Sequence, residues 1–337
     1  MKKISIILPI YNMEIYLDRA LSSIERQTIG LENIEILMVN DGSTDNTKEI
    51  MEKYSKKHNN FHSFHCIDSS GAAGKPRNIG IQAAIGDYLM FLDPDDFYED
   101  TACHDLYTLV TEYSADMCIG NYYSWINNEK FANYLPETFD TPVKFISSID
   151  EFKDCYKLTP TVWTKIFKRD FIIKNNILFP EKIKAQDIVF SINALLLADG
   201  IVVTKNFITN YVLRNGEDKS ASFNLNLNYF KSLSISQKMV FDLFCENSKK
   251  EDYRHLLSFS YDSYFISKLL DAVDLSDQEM IEAMQSLHWF FEKAYEMEAL
   301  VSTPPIYNHI AHRIIAHQYN ETVLLIRCIN KLKNKIH

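Results

Sequence analysis

Through the first part of the chain, apolar runs of strand length alternate with segments of helical period, and that rhythm leaves few folds open. Ile4 to Ile10 is a β-branched run. After Asn12, read as a helix N-cap, Leu17, Ala20, Leu21 and Ile24 recur at helical spacing as far as Gln27. Ile34 to Val39 is the second run, closed by the turn cluster Asn40-Asp41-Gly42-Ser43-Thr44-Asp45, which caps a charged helix through about Lys57. Phe61 to Ile67 forms a weaker third strand, followed by a small-residue loop from Asp68 to Lys75 and a helix from Arg77 to Ile85. Tyr88 to Leu92 is the fourth strand and Ala115 to Tyr123 the fifth. The spacing predicts an α/β, doubly wound, mostly parallel sheet whose ligand crevice lies beyond the strand C-termini.

The strand ends carry the polar residues. Pro9, Tyr11 and Asn12 close the first run, Asp41 the second and Asp93 the fourth, so the polar punctuation gathers on one edge of the sheet. Tyr88-Leu89-Met90-Phe91-Leu92-Asp93-Pro94-Asp95-Asp96 is the sharpest case, a buried strand that delivers three carboxylates around a proline. Pro94 has no amide donor and cannot extend a ladder, so the chain turns there. Asp93 and Asp95 are hard oxygen ligands one residue apart, a pattern that suits Mg2+ or Mn2+ carrying a diphosphate. The local alternative makes Asp95 or Asp96 the cap of a segment after Phe97. The shared rim favours the metal.

A net charge of −10, from 35 basic and 45 acidic side chains, argues against a nonspecific nucleic-acid binder. An anionic ligand must be met locally, by a metal or a few basic side chains. The six cysteines are scattered without a Cys-x-x-Cys pair and read as reduced, mostly buried thiols of a cytoplasmic protein. Pro9, Asn12 and Glu14 interrupt the N-terminal apolar run too early for a secretory leader. Ala194 to Val203 is too short to span a bilayer. Any membrane contact is then expected to be peripheral, at the inner face, through the basic tail Lys331-Leu332-Lys333-Asn334-Lys335; the alternative reading of that tail is a solvated terminus.

Beyond about Ser222 helical periodicity dominates. Leu256, Leu257, Tyr264, Leu269 and Leu270 fall on one expected helix, and Ser276-x-x-Glu279 is a capping box opening the next. Pro304-Pro305 precedes a final helix carrying Ile310, Ile314, Val323, Leu324 and Ile326, with His309, His312 and His317 read as polar-face or packing residues. Tyr122, Tyr123 and Trp125 read as packing rather than a sugar platform, and Trp163 as core or acceptor wall.

Two nucleotide-loop classes are disfavoured. The first turn reads Pro9-Ile10-Tyr11-Asn12-Met13-Glu14 where a dinucleotide fold needs Gly-x-Gly-x-x-Gly, and Gly74-Lys75 is followed by Pro76 where a P-loop needs Ser or Thr. The chain instead resembles the family 2 glycosyltransferases of GT-A fold. The resemblance rests on Ser5-Ile6-Ile7-Leu8-Pro9-Ile10-Tyr11-Asn12, Val39-Asn40-Asp41-Gly42-Ser43-Thr44-Asp45, Pro76-Arg77-Asn78-Ile79-Gly80, Phe91-Leu92-Asp93-Pro94-Asp95-Asp96, and Trp163-Thr164-Lys165-Ile166-Phe167-Lys168-Arg169 leading to Phe179-Pro180 and Gln186-Asp187-Ile188-Val189-Phe190. The Pro-Arg-Asn variant is similar to bacterial cell-surface polysaccharide and wall teichoic acid enzymes.

The resemblance implies a GT-A catalytic domain over residues 1–222, with a nucleotide-sugar half at 1–100 and an acceptor half at 101–222, and a helical module over 223–337. It implies a UDP-sugar donor held by Pro9, Tyr11, Asn12, Asp41, Ser69, Arg77 and Asp93, with Arg214 and Lys219 reaching the diphosphate from a polar loop. Asp93 and Asp95 would hold Mn2+ or Mg2+. Asp187 would be the base that deprotonates an acceptor hydroxyl for inverting attack. Gln186 stands where the family usually has Glu, so a second acidic role there is in doubt. The acceptor would be a cell-surface glycan or polyol-phosphate polymer, and the helical module is expected to pack on the catalytic domain, bind acceptor or mediate self-association. Two rivals remain: a catalytically silent nucleotide-sugar-binding scaffold and a nucleotidyltransferase. Donor turnover separates the first from the enzyme, and release of pyrophosphate rather than UDP identifies the second.

Overall fold

The computed structural model describes residues 2–214, 224–260, 265–299 and 305–336. The chain divides into two compact units, Met1–Asp218 and Lys219–His337.

The first unit is built on one ten-stranded sheet. Its strands are β1 (Ile4–Ile10), β2 (Ile34–Asn40), β3 (Phe61–His65), β4 (Tyr88–Phe91), β5 (Phe97–Tyr98), β6 (Met117–Ile126), β7 (Glu129–Ala132), β8 (Val143–Ile146), β9 (Lys165–Lys168) and β10 (Ile201–Leu213). They lie in the order β3-β2-β1-β4-β9-β6-β10-β5, with β7 against β6 and β8 against β10. β1 is central to the nucleotide half, with Ile6 opposite Ile36 on β2 and Met90 on β4, both in parallel register. β9 runs antiparallel between β4 and β6, Phe167 facing Leu89 on one side and Met117 on the other. Its N-terminal end therefore reaches the rim where the parallel strands end.

Helices α1 (Leu17–Glu25), α2 (Thr47–Lys57), α3 (Gly74–Ala83), α4 (Ala102–Glu112), α5 (Arg169–Lys174) and α6 (Gln186–Leu197) complete this unit. Leu17, Ala20, Leu21 and Ile24 of α1 are buried against Ile4, Ile6, Leu8 and Ile10, each large apolar side chain contributing about 1.5–3 kcal/mol. β1 and β2 are buried along their whole length, as expected of parallel strands covered on both faces.

Four expectations need correction here. Asn12 is not a cap: it adopts φ 51°, and its side-chain oxygen accepts the Thr44 amide at 2.8 Å, tying the loop after β1 to the loop after β2. α3 begins at Gly74 rather than Arg77, because Pro76 suits a first helical turn where no amide donor is needed. No helix begins at Phe97: Phe97–Tyr98 pairs with β10 as β5, and α4 starts only at Ala102 with Thr101 at its cap position, so Asp95 and Asp96 are not helix caps. Of the six cysteines, Cys103, Cys118 and Cys155 are buried, Cys66 is half-buried, and Cys245 and Cys328 are exposed, so the thiols are less uniformly buried than expected.

The second unit is helical: α7 (Leu227–Glu246), α8 (Tyr253–Ser260), α9 (Ser267–Asp271), α10 (Asp277–Glu296), α11 (Pro305–Ile315) and α12 (Tyr319–Ile336). The capping box opening α10 is present in full, Ser276 and Glu279 each bonding the other's amide. The apolar stretch expected as one helix over Leu256 to Leu270 is instead α8 and α9; Tyr264 lies outside the described residues. The final helix is two, separated where His317 takes φ 57°. Among the described residues no helix is long and apolar enough to cross a membrane.

Candidate active site

The rim of the first unit collects three carboxylates and two arginines from distant parts of the chain. The chain turns immediately after Leu92, where the Asp96 amide bonds back to the Asp93 carbonyl at 3.0 Å. Arg77 enters from the first turn of α3. Its Nη2 donates to Asp93 Oδ1 and its Nη1 to Asp187 Oδ1, each at 2.6 Å. The Arg77 side chain is only 2% exposed, so this is a buried bridge and not the minor surface ion pair that an isolated arginine suggests. Burial disfavours its charge, but Asp187 and Asp93 more than compensate and hold the guanidinium above its ordinary pKa.

The neighbouring Asn78 secures the far wall. Its amide donates to the Phe179 carbonyl and accepts the Phe179 amide, both at 2.9 Å, and the Phe179 ring lies 5.1 Å from the Arg77 guanidinium. Gly74 is required just upstream, since a Cβ there would sit 2.1 Å from the Pro180 carbonyl oxygen. The Pro-Arg-Asn run therefore serves two purposes, a charge between two acids and an amide clamp beneath it.

Asp187 lies in the first turn of α6, after Ala185 at φ 56° redirects the chain. The helix dipole favours an ionised carboxylate at this end. Burial pushes the Asp187 carboxyl above the usual aspartate range, Arg77 opposes that shift, and Asp93 adds to it. The side chain keeps 24% exposure, so the group is reachable from solvent. A partly desolvated carboxylate with a raised pKa is suited to taking a proton near neutral pH. Gln186 is buried and adds no charge.

Asp95 pairs with the second arginine, Arg214 Nη2 lying 2.7 Å from Asp95 Oδ2. Arg214 also stacks over Tyr16 at 4.9 Å, and Arg19 donates to the Asp95 carbonyl. Burial raises the Asp95 pKa, with Asp93 adding to the shift and Arg214 opposing it. Asp96 is 1% exposed; Oδ1 accepts the Val212 amide at 2.8 Å and Oδ2 has no hydrogen-bond partner among the described residues. Burial, then Asp95 and Asp93, push its carboxyl well above the aspartate range. An acid with a raised folded pKa costs no stability below its unfolded pKa and progressively more as pH rises toward the folded value. Asp96→Asn keeps an acceptor for Val212 and removes that cost. It should stabilise the protein by about 1–3 kcal/mol near neutral pH and lose the gain below about pH 4, as read by urea unfolding at both pH values.

On the nucleotide side, Asp41 is 3% exposed at the end of β2. Its Oδ2 accepts from Ser69 Oγ at 3.1 Å and from the Ser70 amide and hydroxyl at 2.9 Å, while Oδ1 is buried without a hydrogen-bond partner among the described residues. Gly42 makes this approach possible: at φ 75°, any Cβ would meet the Ser69 amide nitrogen at 2.7 Å. Pro9 is buried at the end of β1, and Tyr11 stands 45% exposed beside it. Ser69 thus serves Asp41, and Asn12 joins two loops. Lys219 lies outside the described residues.

A family model for glycosyl transferase family 2 matches residues 5–174. The chain belongs to that family. This family 2 glycosyltransferase is 34% identical over 223 residues to the poly(ribitol-phosphate) beta-glucosyltransferase of Bacillus spizizenii, covering 66% of this chain and 34% of that protein. It is 30% identical over 290 residues to the poly(ribitol-phosphate) beta-N-acetylglucosaminyltransferase TarS of Staphylococcus aureus, covering 82% of this chain and 48% of TarS. The chain thus spans half or less of the length of these curated relatives. The crystal structure of S. aureus TarS 1-349 in complex with UDP-GlcNAc superposes with a TM-score of 0.76 at 23% identity, covering 98% of this chain and 92% of that one, so the GT-A fold is shared.

At the acidic turn Asp93 and Asp95 carry hard carboxylate oxygens, one of each held by an arginine at 2.6 and 2.7 Å. Among the described residues no group of three or more His, Cys, Asp or Glu side chains converges on a metal position. A divalent ion held by Asp93 and Asp95 would need phosphate and water to complete its shell, as Mg2+ on nucleotides commonly has. The C-terminal histidines go elsewhere: His309 accepts from Arg313, and His317 bonds Tyr319. Trp163 is buried, stacked on Tyr211 at 5.4 Å, with Tyr122 edge-on at 4.9 Å. Sequence reasoning missed the parts played by Tyr16, Arg19, Asn78, Asp96 and Lys165. Only Asn78, Asp96 and Lys165 fall within recognised motifs; no local signal marks Tyr16 or Arg19.

Proposed function

We propose that this glycosyltransferase moves a sugar from a UDP-sugar to a hydroxyl of a polyol-phosphate polymer or related cell-surface glycan, with inversion and with a divalent metal at Asp93 and Asp95. The observation that carries this reading is the single Arg77 guanidinium joining Asp93 to Asp187 at 2.6 Å each, which sets a donor-side acid and a base within one side chain of each other. Asp41 Oδ1, a buried acceptor without a partner among the described residues, suits the N3–H of a uracil ring beside Tyr11. Asp187 would accept the proton of the attacking hydroxyl through the oxygen that Arg77 does not hold. When bound, Mn2+ or Mg2+ supplies Lewis-acid charge for the departing diphosphate. Arg214 would add positive charge on the same side. The acceptor class is supported by the printed functions of the two relatives, both poly(ribitol-phosphate) transferases.

The experiment is UDP release with a panel of UDP-sugars and a ribitol-phosphate oligomer, with and without Mn2+. Turnover requiring both substrates and metal supports the proposal; release of pyrophosphate, or donor binding without turnover, contradicts it. Asp41→Asn tests the base pocket. An Asn can keep the Ser69 and Ser70 bonds only by turning its NH2 toward the uracil N3–H, so UDP affinity should fall about ten- to a hundredfold by calorimetry.

A further inference from the structure

The strip before β9 is held with unusual completeness. Lys165 is fully buried, and its Nζ donates to the Thr159 carbonyl at 2.7 Å, to the Thr161 carbonyl, and toward Thr164 Oγ1 at 3.5 Å. Ser191 Oγ holds the Pro160 carbonyl at 2.6 Å, and Thr209 Oγ1 holds the Trp163 carbonyl at 2.6 Å. The Lys165 and Gly120 amides take the Val162 and Thr164 carbonyls. Each carbonyl from Thr159 to Thr164 therefore has a protein donor. Ser191 stands four residues after Asp187 on α6, so the helix that presents Asp187 also grips this strip. Thr159, Pro160 and Thr161 remain half-buried, and the two threonine hydroxyls lie 3.5 Å apart.

We propose that Thr159–Thr161 is an acceptor subsite: its paired hydroxyls meet a hydroxyl-rich chain beside Asp187, Lys165 is the positioning residue that holds the shape of the strip, and Ser191 ties the strip to α6. This rests on Asp187 being the base. A buried ammonium is expensive to desolvate, and a neutral donor would suffice if the only task were to close a turn. Here the cation lies close enough to Asp187 for each to alter the other's ionisation, and its bonds to the Thr159 and Thr161 carbonyls hold the strip that Ser191 ties to the helix. Burial brings the Lys165 ammonium down to about 7, with Asp187 opposing the shift. Threonine pairs of this kind offer both donor and acceptor capacity to polyol or sugar hydroxyls.

The test uses the full chain with UDP-GlcNAc and UDP-glucose as donors and a ribitol-phosphate oligomer as acceptor probe. Thr159→Val and Thr161→Val remove only hydroxyls and should raise the acceptor KM about tenfold, with donor KM and calorimetric UDP affinity unmoved. Lys165→Met should raise acceptor KM at least as much and shift the partition of donor from transfer toward hydrolysis by water. Should Lys165→Met fail to fold, Ser191→Ala frees the Pro160 carbonyl from the other side and should give the same acceptor-only effect. An acceptor KM that stays put in the threonine variants, a donor KM that moves equally, or no saturable acceptor effect in the unmodified protein overturns the proposal. Asp187→Asn in the same panel separates the two readings. If it retains full turnover the base assignment fails; if it abolishes turnover while the threonine variants behave normally, only the subsite fails.

Discussion

Asp187→Asn should lower kcat by about two to four orders of magnitude while leaving UDP-sugar affinity within about threefold of the parent. The substitution preserves an oxygen for Arg77 Nη1, so the buried bridge to Asp93 survives in part and the guanidinium is not stranded. What is lost is the ability to accept a proton. Alanine at this position is a poorer test, because removing one partner of a buried ion pair costs about 3–5 kcal/mol and confounds chemistry with folding. The parent enzyme adds a pH signature. As the proposed base, Asp187 would work only when ionised, and burial raises its pKa against the opposing pull of Arg77. The acid limb of kcat should therefore fall above the ordinary aspartate range, with rate rising as pH passes the raised value. That limb should be absent from the residual activity of the Asn variant.

Asp95→Ala should remove the metal-dependent part of donor binding, raising the Kd for UDP in the presence of Mn2+ by about a hundredfold or more. Asp95 sits in a partly buried position with Asp93 close enough to raise its pKa, and Arg214 occupies one of its oxygens at 2.7 Å. Two carboxylates pressed together need positive charge. Arginines meet that need here, and a divalent ion with a diphosphate would meet it more fully. Removal of Asp95 also takes an acid away from the Arg214 guanidinium, so Mn2+-independent UDP binding should persist. Isothermal calorimetry with and without Mn2+ separates these effects.

Much of the site was legible because it sits on strand ends. A parallel strand that stops at Pro9, Asp41 or Asp93 must leave those residues at one rim, and sequence order alone reveals it. The helix carrying Asp187 in its first turn was legible for a similar reason, an acid opening an apolar helical run. Contacts across long separations were not. Arg77 meets Asp93 across 16 residues and Asp187 across 110, and nothing in the run Pro76-Arg77-Asn78 states that one guanidinium spans both. Asn78 finds Phe179 across 101 residues. Lys165, flanked by Thr164 and Ile166, carries no local sign that it turns inward to two carbonyls. The missed features share a cause: their energetics come from partners brought close by the sheet order, with β9 inserted antiparallel between β4 and β6. Local periodicity also failed at the C-terminal helices, where the apolar repeat runs on although the backbone turns at His317.

The most direct measurement is a three-way calorimetric titration of UDP, with and without Mn2+, into the unmodified protein, Asp95→Ala and Asp187→Asn, paired with UDP release under the same conditions. The account predicts Mn2+-enhanced binding in the unmodified protein and in Asp187→Asn, loss of that enhancement in Asp95→Ala, and turnover only in the unmodified protein. Equal loss of binding in the two variants, or full turnover by Asp187→Asn, would contradict it.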